Sequence, residues 1–348
     1  CALPILHFHV RNCCKHTLFC PLPYYDKSKK IFLSYKINAY FCINMKRVSY
    51  LLFLTILMLV SCGKSAEQQA SEQQAKKKAE LAKYQAAFKV AVMPTLDCLP
   101  AYLLKDSLLY DTAKVDIRLK EYNAQMDCDT AMIRHRVQAA FSDLVRTERL
   151  KRRKKVLMHY LTSTNASWKL IADRQSKVMK LAQLSDKILA MTRFSATDLF
   201  TDKVLKKAEP KYKVFRAQIN DVFVRLKMLA NHEIDAYWFQ EPQATVAMQG
   251  DNILLYDTSE SGISLGVLAI MDNEDRSSQE TAFAEAYNKA IELINERGVK
   301  YYAALIKKYM GLTDAQVNAL PTIKYTKTER PRQVDLLKAM DYVAKIRQ

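Results

Sequence analysis

The chain has 348 residues, 49% of them hydrophobic, with 54 Lys and Arg against 36 Asp and Glu, a net charge of +18. That balance excludes a disordered or fibrous chain, and the length allows two domains of ordinary size. With only six glycines there is no Gly-rich phosphate loop. The positive charge is spread, and its densest cluster, "RTERLKRRKK" from Arg146 to Lys155, reads as a solvated helix face or a surface near anionic lipid rather than a nucleic-acid patch.

Residues 1–44 hold five of the eight cysteines (Cys1, Cys13, Cys14, Cys20, Cys42) and show neither helical nor alternating periodicity. They read as translated upstream DNA, with a disulfide module as the rival. "MKRVSYLLFLTILMLVSCGKS" begins at Met45: Lys46 and Arg47, an apolar run from Leu51 to Val60, then small Ser61 before Cys62. This is the layout of a secretory signal, too short to span a bilayer. "LVSC" resembles a bacterial lipobox, so 45–62 reads as a lipoprotein signal peptide and Cys62 as the lipid anchor. Residues 63–87, almost free of large apolar side chains, read as a flexible tether, partly helical at most.

From Phe88 the texture is that of a packed domain. "FKVAVMP" is a buried strand and "CLPAYLLKDSLLY" a helix. "VDIRLKEY" is an alternating strand, and "DCDTAMIRHR" a helix capped by an Asp at its start. "VQAAFSDL" is a strand running into the basic helix, and "KVLMHYLTS" another strand. The pattern restarts with "SWKLIADR", then "DKILAMTRFSATDLFTDKVLKKA", "YKVFRAQI", "DVFVRLKMLANHE" and "IDAYWFQEP". After "NILLYDTS" and "ISLGVLAIMD" the chain turns helical to its end. The fold class predicted is α/β: two lobes, each a mostly parallel sheet flanked by helices, with a helical C-terminal end.

In such sheets ligands sit beyond the carboxyl ends of the strands. Those ends offer Thr95 and Asp97, Asp127 and Asp129, Ser142 and Asp143, and Thr162 from the first lobe. The second offers Arg193, Phe194, Ser195, Gln218, Trp238, Gln240 and Glu241. Trp238 and Phe194 could stack on a flat ring whose polar edge Gln218 and Gln240 read, or either could be core.

The succession "KVAVMPTLDCLPAYLLKDSLLY", "VDIRLKEY", "QAAFSDLVR", "SDKILAMTRFSATDLFTDKVL", "EIDAYWFQEPQATVAMQG" and "SLGVLAIMD" resembles the substrate-binding proteins of ABC importers, within the group of thiamine-precursor, sulfonate and nitrate binders. The resemblance covers roughly residues 88–310. It implies a periplasmic-binding-protein fold of the second type, with two lobes joined by a two-strand hinge, a solute enclosed between them, and a permease as partner. Lobe 1 would take 88–165 and regain about 264–348; lobe 2 would take 166–263. A lipid-anchored monomer on the periplasmic side of a bacterial membrane fits, with no cofactor, metal or nucleic acid.

The sequence departs from sulfonate and nitrate binders in offering Asp97, Asp127, Asp129 and Asp143, which would repel an anion and favour a cation or an N–H-rich solute such as a thiamine precursor. Asp129 and Asp143 read equally as helix caps. Cys98 and Cys128 each follow an aspartate and leave three readings open: a disulfide, two buried thiols, or a metal site. An enzyme on the same fold is the rival, and a structural lipoprotein another. His135, His159 and His232 pair by spacing with no nucleophile, and "HE" at His232 lacks the second histidine of the zinc-protease motif, so the chain is read as a binder.

Overall fold

The computed structural model describes residues 66–272 and 275–346; the signal peptide, Cys62 and residues 1–44 lie outside them. The chain divides into residues 1–77 and 78–348 as compact units. The described part of the first consists of the opening turns of helix α1, Ala66–Ala86. The flexible tether expected here is instead a continuous helix, exposed along nearly its whole length. Its Ala, Gln, Glu and Lys are strong helix formers, uninterrupted by Gly or Pro, so propensity makes a helix without a core. Its last carbonyls, which lie in the second unit, are capped within that unit. Lys89 donates to the Tyr84 carbonyl at 3.0 Å, and Arg276 and Gln279 donate to that of Ala86 at 3.0 and 2.9 Å.

Sheet one contains β1 (Phe88–Val92), β2 (Ile117–Glu121), β3 (Ala139–Asp143), β4 (Met158–Ser163) and β10 (Gly266–Met271) in the order β2-β1-β3-β10-β4. β1 runs parallel to β2 and β3, while β10 runs antiparallel between β3 and β4, with Ala269 facing Ala140 on one side and Tyr160 on the other. β1 and β3 are buried at every residue, which is why they read as apolar runs rather than alternations.

Sheet two repeats the plan with β5 (Lys169–Ala172), β6 (Ile188–Met191), β7 (Phe215–Gln218), β8 (Ala236–Phe239) and β9 (Ile253–Asp257) in the order β7-β6-β8-β5-β9. Here β5 is the antiparallel insert, pairing with β8 and β9. The antiparallel strands, β5 and β10, are those that follow the two crossings between sheets, 163–169 and 257–266. At Gly266 the crossings pass so closely that a Cβ would sit 2.4 Å from Thr164 Oγ1 and 2.5 Å from Ala166 Cβ.

Helices α2 (Leu99–Asp106), α3 (Gln125–Ile133), α8 (Ser277–Arg297) and α9 (Ala303–Met310) enclose sheet one's core, where the rings of Phe88 and Phe283 lie 5.5 Å apart. Helix α3 begins at Gln125, before the Asp expected to cap it; Asp127 lies in its first turn, exposed. Helices α4 (Leu144–Lys154) and α5 (Ala196–Ala208) supply a second core, and α6 (Val222–Ala230) with α7 (Gln243–Met248) a third. After α10 (Asp314–Ala319), residues 320–332 carry no helix or strand and lead to α11 (Gln333–Lys345). Ala339 and Val343 of α11 pack in the cluster that holds Trp168, Phe200 and Trp238 together with Leu144 and Val145 of α4, and α11 lies chiefly on α4, the helix that follows β3 of sheet one.

Candidate functional site

The carboxyl ends of both sets of strands converge on one cleft. From the first sheet come Thr95, Asp97, Ser142 and Asp143; from the second come Thr192, Ser195, Asn220, Arg225 and Gln240; Trp168, at the first crossing, closes one wall. The cleft is shut. Val222 N donates to the Asn123 carbonyl at 3.1 Å, and Ala124 bridges Asp221 in antiparallel fashion. Asn220 reaches Met126 Sδ at 2.9 Å. On the opposite lip Arg146 donates to the Arg193 carbonyl at 3.4 Å, and the Arg149 guanidinium lies 4.3 Å from the Phe194 ring. The enclosed cavity measures about 40 Å³, room for a few heavy atoms.

Its walls are polar and charged. Asp97 Oδ1 and Ser142 Oγ are buried and have no hydrogen-bond partner among the described residues. Burial pushes the Asp97 carboxyl up, against hydrogen bonds from Thr95 and Thr164. Asp143 begins α4 as its N-cap, accepting from Arg146 N at 2.9 Å. Burial pushes it up to about 6, against the Arg146 charge and the N–H groups of Arg146 and Ala196. Arg225 is buried yet bonded to neutral acceptors: Nε to the Ile219 carbonyl at 2.6 Å, Nη1 to the Trp238 carbonyl at 2.9 Å, and Nη2 to Thr192 Oγ1. Burial brings it down to about 10.

Of the side chains expected at the site, Thr95, Asp97, Ser142, Asp143, Ser195 and Gln240 line this cavity; the others do not. Asp127 is exposed. Asp129 is buried and taken by Arg146, whose Nε lies 2.7 Å away. Thr162 is buried in β4, accepting from Glu329 N at 3.0 Å. Arg193 is exposed and contributes its carbonyl to the lip. Phe194 lies under Arg149, and Gln218 is at the rim, exposed beside Met126. Trp238 is a core residue: its Nε1 donates to Thr201 Oγ1 at 2.8 Å and its ring packs against Phe200 and Tyr256. Both faces of β8 are buried, so an aromatic there has no route to the cleft. Glu241 is held by Lys169 at 2.7 Å and Thr245 Oγ1 at 2.7 Å.

The sequence reading missed Arg225, although Val222, Arg225 and Leu229 form the buried stripe of α6 and the three-four spacing marks it as facing inward. It missed Trp168 as well, since nothing in "SWKLIADR" says which side of the crossing the ring takes. Cys98 and Cys128 are two free, buried thiols, pushed well up by burial. A wider hollow of about 640 Å³ lies outside the cleft along the two crossings, where Lys169 pairs with Glu241 and Arg332 bonds to the Gly262 carbonyl.

The sequence matches no protein-family model and no curated protein. Solved structures do match. A ligand-binding component of an ABC-type import system from Staphylococcus aureus, with zinc bound, superposes with a TM-score of 0.62 at 15% identity, over 74% of this chain and 91% of that one. The chain has the periplasmic-binding-protein fold. An alkanesulfonate-binding protein from Xanthomonas axonopodis bound to MOPS gives the same TM-score, 0.62, at 15% identity over the same shares, 74% and 91%. The periplasmic nitrate-binding protein of Synechocystis gives 0.58 at 12% identity over 72% and 76%. At these identities the likeness is one of fold. No helix among the described residues is long and apolar enough to cross a membrane.

Proposed function

We propose that the protein is the solute-binding component of an ABC-type importer, capturing a small polar molecule between its lobes and presenting the closed form to a permease. The observation that carries this is the enclosed polar cavity at the strand ends, where Asp97 Oδ1 and Ser142 Oγ lack partners beside the buried Arg225. Buried polar atoms left unsatisfied cost stability, and a bound solute with its own donors and acceptors relieves that cost. By their own descriptions one structural neighbour is the ligand-binding component of an ABC-type import system, and two others bind alkanesulfonate and nitrate.

A nitrogenous ring of thiamine-precursor size would need the lobes further apart than they stand here. Its expected aromatic walls, Trp238 and Phe194, lie in the core and under Arg149 respectively, and ring-sized ligands occupy pockets of about 300 Å³ or more. A compact solute of a few heavy atoms fits the closed cavity. Lipid on Cys62, if attached, would hold the binder near its permease at high local concentration.

The test is a thermal-shift panel of small amines, amino acids, amides, sulfonates and nitrate, followed by calorimetric titration of any hit. One class of solute should raise Tm in a saturable way, since a ligand that binds only the native state stabilises it by mass action. If nothing in the panel shifts Tm, the importer reading fails.

A further inference from the structure

Helices α4 and α5 belong to different lobes, and their N-termini meet at one side chain. Asp143 Oδ1 accepts from Arg146 N in the first turn of α4 at 2.9 Å, and Ala196, the first residue of α5, lies near enough for its N–H to favour the ionised carboxylate. Asp143 is 4% exposed and lines the cavity together with Ser195, the N-cap of α5. Free N–H groups and the positive end of the helix dipole make such a place a cradle for an anion. Here a carboxylate of the chain fills the cradle of α4 and stands beside the start of α5, whose own cap is Ser195. The cavity beside it is built for a ligand by a separate observation, since Ser142 Oγ and Asp97 Oδ1, on residues 6% and 9% exposed, line it without partners.

Resting on the reading of the cleft as a solute site, we infer that Asp143 is its specificity-determining residue: the carboxylate takes the place a small anion would occupy between α4 and α5, so the site rejects anions and accepts an uncharged or cationic solute. Two features of Asp143 act together. It satisfies the Arg146 N–H that would otherwise attract an anion, and its negative charge in a low-dielectric cleft repels one. Arg225 adds an opposing positive charge to the lining, but an N–H of each of its three nitrogens is directed at the carbonyls of Ile219 and Trp238 and at Thr192, so Asp143 sets the balance.

The test compares the full chain with Asp143→Ser and Asp143→Asn, using nitrate, sulfate and methanesulfonate as probes in thermal shift and titration calorimetry. Serine retains a good N-cap and so should keep α4, while it removes the charge and frees volume; asparagine removes the charge but still fills the place. The wild-type protein should show no shift. Asp143→Ser should gain a saturable shift of about 3 °C at roughly ten times Kd, and Asp143→Asn a smaller one or none. Saturable anion binding by the wild type in the cleft, or a folded Asp143→Ser that ignores all three anions, overturns the inference. Should Asp143→Ser not fold, Asp143→Gly gives the same readout, since an N-cap glycine costs only a few tenths of a kcal/mol. The two readings fail separately: the wild-type panel of uncharged and cationic solutes decides the importer reading, and the variant's gain of anion binding decides this one.

Discussion

The guanidinium of Arg225 donates to the main-chain carbonyl of Trp238 at 2.9 Å, tying α6 to the end of β8 directly beneath the cleft. The same group holds the carbonyl of Ile219 and the hydroxyl of Thr192, so the carboxyl ends of three strands of sheet two, β6, β7 and β8, depend on one side chain. Arg225→Ala should cost about 3 kcal/mol, because it orphans these buried acceptors and leaves a cavity. Arg225→Lys should recover little, since a lysine cannot reach three acceptors in diverging directions. Urea unfolding checks both; a lysine variant as stable as the wild type would contradict the fork geometry.

Trp238 and Trp168 make opposite predictions. Trp238→Phe loses the bond to Thr201 Oγ1 and should cost about 1 to 3 kcal/mol of stability while leaving solute affinity unchanged. Trp168 lines the cavity, and Trp168→Ala should weaken affinity more than tenfold. Calorimetric Kd values for the two variants, beside their Tm values, separate the core ring from the wall.

His159 makes stability depend on pH. It sits between Asp272, on Nδ1, and Glu280, 2.8 Å from Nε2. Burial pulls its pKa down, but hydrogen bonds and charge from Glu280 and Asp272 outweigh this, and the net shift is upward. A histidine with a raised folded pKa contributes stability that is fully present below its ordinary value near 6.5 and lost as pH rises through the folded pKa. The difference in Tm between wild type and His159→Gln should therefore be larger at pH 6 than at pH 9. An equal difference at both would show that the histidine does not titrate with folding.

Gly266 is where the two crossings touch. A methyl group there would lie 2.5 Å from Ala166 Cβ, a distance no packing tolerates, so one crossing must move. Gly266→Ala should cost about 1 to 3 kcal/mol and, on the proposal that the two crossings act as a hinge, change the radius of gyration on ligand addition. Denaturant midpoints and small-angle scattering with and without solute would measure both effects.

The local elements were legible in the sequence because their causes are local. The apolar run "FKVAV" became β1, Asp143 before "LVRTERLKRRK" became the N-cap of α4, and Ser195 became that of α5; spacing and capping chemistry are written within a few residues. The α/β class follows from their alternation. Even the tether's helix was available from its Ala, Gln, Glu and Lys content, and was missed because a segment without a core was assumed to lack structure.

What tertiary structure alone decided is partnership across distance. Nothing near Asp129 says that Arg146, seventeen residues on, takes its carboxylate, or that the same Arg146 reaches the Arg193 carbonyl across the cleft. Nor does strand alternation tell which face of β8 meets the cleft when both faces are buried, so Trp238 and Trp168 could be sorted only in space. A site made where two lobes meet draws on segments more than a hundred residues apart, as Asp97 and Arg225 of one cavity are. Sequence fixes what each residue can offer, but the fold decides which offers face one another.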